Sequence, residues 1–170
     1  KDLERSHQEI KDILPRIKSL ANPYTLKPRV RYMEGPEGVK QVMEDTLTSK
    51  ETLLCYSALD KWLVGPLVNY IRDYGKRRIF EKQLHLRALV YDTKTAHDYL
   101  ASEYPKKLTK MRWIPKDLAI VDNEINIYDD KVSIVSLAPE EMFGVIIESK
   151  AISDTQKQIF ELAWRGAVPD

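Results

Sequence analysis

The stretch VDNEINIYDDKVSIVS, residues 121–136, sets Asp122, Glu124, Asn126 and Tyr128 at alternate positions. On a strand, alternate side chains share a face, so two carboxylates, an amide and a phenol line up opposite Ile125 and Ile127. Ionised oxygens accept strong hydrogen bonds from hydroxyl donors and also attract cations. The face reads either as the water-facing side of a half-buried strand, the commoner case, or as the polar wall of a pocket. Asp122, Glu124, Asp129 and Asp130 are oxygen ligands of the kind calcium or magnesium prefers. Asp129 and Asp130, however, stand where a tight turn is expected, and aspartate favours turns for its own hydrogen bonding. The spacing matches no calcium loop, so neither a metal nor a cofactor is expected.

Other candidates come from the loops after the central strands, where open α/β sheets usually bind ligands: Ser57, Asp60, Trp62, Tyr91 and Asp92. Trp62 suits either stacking on a sugar face or plain core. Ser57 lacks the G-x-S-x-G setting of a hydrolase nucleophile. His7, His85 and His97 fall in three different elements without ligand spacing, and Cys55 sits in an apolar run that reads as core. The basic run GKRRIFEK, 75–82, reads either as a contact for phosphates or, the commoner case, as the solvated C-terminal end of an amphipathic helix.

These residues need elements to hold them. RVRYM (29–33), TLLCYSAL (52–59), LHLRALVY (84–91), KMRWI (110–114) and FGVIIES (143–149) read as strands, with the 121–136 segment as an antiparallel hairpin. Helical patterns fall between them: from Gly35-Pro36 to about Leu47, after Gly65-Pro66, from about Thr93 to Tyr104, and at the end to about Arg165. Strands alternating with helices predict an α/β domain over 21–170, its sheet largely parallel and covered on both faces, with the hairpin late in the chain. Residues 1–20 come first as a linker helix. Leu3, Ile10, Ile13, Ile17 and Leu20 form an apolar seam at coiled-coil spacing, although Pro15 interrupts it. That seam packs either on its own domain or against a second copy, making a homodimer.

With 170 residues, 43% hydrophobic and 31% charged, the chain supports one compact domain with a sizeable core. A formal charge of +1 gives no long-range field for nucleic acid or anionic membrane. One cysteine fits a reducing cytoplasm, and no apolar run approaches the roughly 20 residues that span a bilayer.

Taken in order, KPRVRYMEGPEGVKQVMEDTL, YIRDYGKRRI, INIYDDKVSIVS, FGVIIES and IFELAW resemble the effector domain of TrmB-type transcriptional regulators over nearly the whole chain. The resemblance implies a phospholipase D-like fold, dimerisation, a role in transcription and, in well-known members, sugar binding. It also implies that DNA is bound by an N-terminal winged helix outside this chain, to which the helix before Lys27-Pro28 is the linker. The phospholipase D signature H-x-K-x-x-x-x-D falls on Asp122, Glu124 and Asp129, of which only the aspartate matches. A carboxylate in place of the lysine repels an anionic phosphodiester, by roughly 4 kcal/mol at 4 Å before screening. The expectation is therefore a regulatory domain that is not an enzyme, senses a small polar ligand such as a sugar, and dimerises. A pure dimerisation scaffold and a divergent phosphodiesterase or nuclease are the alternatives.

Overall fold

The computed structural model describes residues 27–103, 108–115, 117 and 123–169. The linker helix expected over 1–20, with Leu3, Ile10, Ile13, Ile17 and Leu20, lies outside them, as does Asp122.

Among the described residues eight strands form one sheet: β1 (Arg29–Glu34), β2 (Leu53–Ser57), β3 (Leu86–Tyr91), β4 (Thr109–Ile114), β5 (Glu124–Tyr128), β6 (Lys131–Ser136), β7 (Phe143–Glu148) and β8 (Val168–Pro169). The helices are α1 (Gly35–Thr46), α2 (Leu59–Val64), α3 (Val68–Lys76), α4 (Lys94–Glu103) and α5 (Lys150–Gly166). A π-helical turn, Arg77–Glu81, extends α3. The strand order is β1-β7-β6-β5-β2-β3-β4-β8.

The expected, largely parallel sheet is corrected. Only β2–β3 and β3–β4 run parallel, and the remaining neighbours are antiparallel. Connection length explains part of this. A parallel neighbour needs a crossover of a dozen or more residues, and among strands both consecutive in the chain and adjacent in the sheet only β2–β3 and β3–β4 have one, through α2–α3 and α4. The β5–β6 turn is Asp129-Asp130, and a loop of six residues joins β6 to β7, so both must double back. Asp129 takes φ +46°, a left-handed value that aspartate tolerates better than most residues.

Helices cover both faces unequally. On one face α1 to α4 bury Val39, Val42, Trp62, Ile71, Tyr99 and Leu100 against Val135, Ile146, Ala88 and Trp113. On the other face, among the described residues, α5 lies across the sheet, with Phe160 fully buried on Leu54, Leu89, Ile127 and Val132. Ser149 caps this helix by accepting the Ile152 N–H. Gly144 on β7 lets α1 close down, since a Cβ there would stand 2.4 Å from Val42 Cγ2.

Candidate functional site

Glu124, Asn126 and Tyr128 do share one face of β5, but that face is not turned to water. All three are buried beneath α1, α2 and α3, with Glu124 4% and Asn126 2% exposed. The sheet register sets Asn126 beside Cys55 on β2 and Ser133 on β6, which makes a polar file inside the molecule. The water-facing account of this hairpin is therefore corrected. Polar alternation marked one face of the strand, and the helices that cover it came from elsewhere in the chain.

Glu124 is the centre of this file. One oxygen, Oε2, accepts from the Trp62 indole N–H at 2.8 Å, from the Ala58 backbone N–H at 3.1 Å and from Ser57 Oγ at 3.4 Å. Burial raises its carboxyl above the usual range, and those hydrogen bonds pull it partly back. Burial likewise pushes the Cys55 thiol well up, and the Glu124 charge adds to the effect. The Tyr74 phenol is raised for the same first reason, and its oxygen lies 2.6 Å from Thr46 Oγ1.

Ser57, Trp62, Glu124 and Asn126, all candidates from the sequence, thus come together around one internal cavity of about 60 Å³. Sites for small molecules typically span roughly 300–1,000 Å³. The cavity has room for about two waters, not for a hexose. Its wall also carries Cys55, Tyr74 and Arg78, which sequence reasoning did not place there. Arg78 is 1% exposed and donates to the Leu84 carbonyl at 2.6 Å and to Thr109 Oγ1 at 2.7 Å. The basic run 75–82 is therefore not simply a solvated helix end. Its π-helical turn carries Arg78 into the interior, while Arg77 forks onto Glu44 and also reaches Asp73.

The remaining candidates lie apart from this cavity. Asp60 accepts from Thr93 Oγ1 at 2.8 Å, tying α2 to the residue that precedes α4. Asp92 pairs with His97 Nε2 at 2.8 Å, and that imidazole stacks on Trp113 with ring centroids 3.9 Å apart. Tyr91 is half-buried at the end of β3. Asp129, the one match to the phospholipase D signature, is a structural node. Its carboxylate accepts the Lys50 N–H, and its carbonyl accepts Ser153 Oγ and Lys157 Nζ, the last two at 2.8 Å. Among the described residues no three His, Cys, Asp or Glu side chains group as a metal site, and no helix is long and apolar enough to cross a membrane.

A second concavity went unmarked in the sequence because its walls are prolines, aromatics and separated glutamates with no shared period. This groove of about 620 Å³ lies where β1 meets α1 and the β6–β7 loop, lined by Tyr32, Glu34, Gly35, Pro36, Pro66 and residues 139–143. Gly35 holds φ +69° and donates its N–H to the Met142 carbonyl at 2.9 Å, which fixes the two walls together.

Strand order, the buried Glu124 and the sheet faces can now be set beside known proteins. Nuc of Salmonella typhimurium, a phospholipase D family member, superposes with TM-score 0.57 at 12% identity, over 85% of this chain and 99% of its own. The fold is phospholipase D-like. NucT of Helicobacter pylori matches equally, with TM-score 0.57, 12% identity, and 85% and 100% coverage. TrmBL2, an archaeal chromatin protein described as showing a novel mode of DNA binding, matches with TM-score 0.50 and 14% identity over 99% of this chain. The chain spans 64% of the length of TrmBL2. No family model and no curated protein matches the sequence itself.

The resemblance drawn from the five sequence segments therefore holds at the level of the fold. The expectation that the chain is not an enzyme is corrected by the same comparison. It shares its fold with a member of an enzyme family, so enzymatic activity is open to it.

Proposed function

We propose that this chain is the regulatory domain of a TrmB-like, DNA-associated transcription regulator, sensing a small effector and dimerising, with DNA held by a separate winged helix. The observation that carries the reading is the likeness to TrmBL2, which extends over 99% of the chain. Charge agrees with the division of labour. At +1 net, this chain has little field to hold DNA alone, whereas backbone neutralisation by lysine and arginine dominates such binding. The effector site is the open groove at the β1–α1 junction rather than the small cavity at Glu124, because the groove has ligand dimensions and that cavity does not. The Glu124 cavity is the hydrogen-bonded support beneath α2.

The test is recovery of DNA from the native organism after crosslinking, using an antibody against this chain. Enriched, reproducible DNA segments are expected. Recovery no better than from a control antibody sinks the regulator reading.

Phosphodiester hydrolysis is the second reading, favoured by the fit to Nuc and NucT over 99% and 100% of those chains. Turnover of a chromogenic diester, followed with the purified chain, decides it.

A further inference from the structure

The groove between β1, the start of α1 and the β6–β7 loop has an unusual combination of walls. Tyr32 is 58% exposed, and its ring lies 5.6 Å from that of Phe143, tilted by 30°. Pro36, Pro66, Pro139 and Met142 continue the apolar surface. Three carboxylates, Glu34, Glu140 and Glu141, line it, and no lysine, arginine or histidine does. None of the three has an ion-pair partner among the described residues.

Charge complementarity calls for a cation, and the spacing decides which kind. A calcium or magnesium ion needs oxygens converging to about 2.0–2.6 Å from one point. The three glutamates do not group in that way among the described residues. Carboxylates spread along a groove suit several positive charges joined by a flexible stem. The stem must be apolar, because apart from the carboxylates and the Tyr32 hydroxyl the lining side chains offer only hydrocarbon, proline rings and a thioether. A peptide would bring backbone carbonyls, for which the lining side chains offer a single donor, the Tyr32 hydroxyl. Methylene links between ammonium groups match them, and exposed aromatic faces attract ammonium directly.

We propose that this groove binds a linear aliphatic polyamine, its ammonium groups on Glu34, Glu140 and Glu141 and its methylenes across Tyr32, Met142 and Phe143. This deepens the effector-sensing reading and rests on it for its biological meaning, while the binding itself is tested directly.

The experiment is titration calorimetry of the purified chain with spermidine at about 0.15 M salt, where long-range attraction is largely screened. One saturable site is expected. Glu140→Gln with Glu141→Gln should weaken binding roughly tenfold or more, and Tyr32→Leu a few-fold, with unfolding midpoints unchanged because these side chains are exposed. No binding overturns the proposal, as does equal affinity for magnesium at matched ionic strength. Tighter binding of a trilysine peptide overturns it in favour of a protein partner. Unchanged affinity in the glutamine variants overturns it too. If a neutral hexose binds instead, the polyamine assignment falls while effector sensing stands. Failure to recover DNA in cells sinks the regulator reading without touching this binding.

Discussion

Replacing Glu124 by alanine removes the acceptor from three donors at once, and the structure sets the scale of the loss. The Trp62 indole N–H at 2.8 Å and the Ala58 N–H at 3.1 Å are both buried. Each buried donor left unsatisfied costs about 1–3 kcal/mol. Ser57 Oγ, at 3.4 Å and only half-buried, adds little. The two strong donors together make the loss about 2–6 kcal/mol, which at about 2–4 °C per kcal/mol lowers the melting temperature by roughly 5–20 °C. Glu124→Gln keeps an amide oxygen for the same donors and should stay within about 1 kcal/mol of the parent. The two forms differ in pH dependence. The folded carboxyl is raised by burial, so above its unfolded value the native state holds a proton that the unfolded chain has released. Parent stability therefore falls as pH rises through that window, and the glutamine variant lacks the slope. Urea unfolding followed by circular dichroism at pH 5 and pH 8 should show the glutamine variant gaining on the parent at the higher pH. An alanine variant as stable as the parent, or a glutamine-minus-parent difference independent of pH, would refute the reasoning.

Three other outcomes follow from the same structure. Burial tends to raise the Asp45 carboxyl, but hydrogen bonds from Lys131, Arg31 and Tyr128 outweigh it and hold the group below its usual range. Its stabilisation is thus present above the unfolded value and lost as pH falls through the folded one, so Asp45→Asn should cost about 1–3 kcal/mol at pH 7 and progressively less as pH falls below the ordinary carboxylate range, by urea midpoint. Gly144→Ala forces a methyl to within 2.4 Å of Val42 Cγ2 and should destabilise by about 1–3 kcal/mol, with Val42→Ala in the same chain recovering part of the loss. If the seam of Leu3, Ile10, Ile13, Ile17 and Leu20 joins two copies, light scattering should give twice 19.8 kDa, and Ile10→Lys with Ile17→Lys should shift the mass toward the monomer.

Local pattern carried much of the framework. Alternation over Glu124–Tyr128 marked one strand and the face its polar residues share, the Asp129-Asp130 pair marked the turn, and Gly35-Pro36 marked the start of α1. These features depend on neighbours within a few residues, which is why they are legible. The short helix Leu59–Val64 was missed because six residues hold too little periodicity to separate from the strand before them. The π-helical turn that carries Arg78 inward was missed because the run of cations around it looks solvated.

What the sequence determined alone was therefore most of the succession of elements, without the short helix Leu59–Val64 and β8, and which side chains of a strand share a face. Only the tertiary structure decided that the face of Glu124 is interior, because α1, α2 and α3, which cover it, pair with β5 across dozens of intervening residues. It also decided that five of the seven strand pairings are antiparallel. It separated Asp92 and Asp60 from the carboxylate they had been grouped with, and it assembled a groove from β1, Pro66 and the β6–β7 loop. Burial and concavity are properties of distant segments meeting, and no local spacing encodes them.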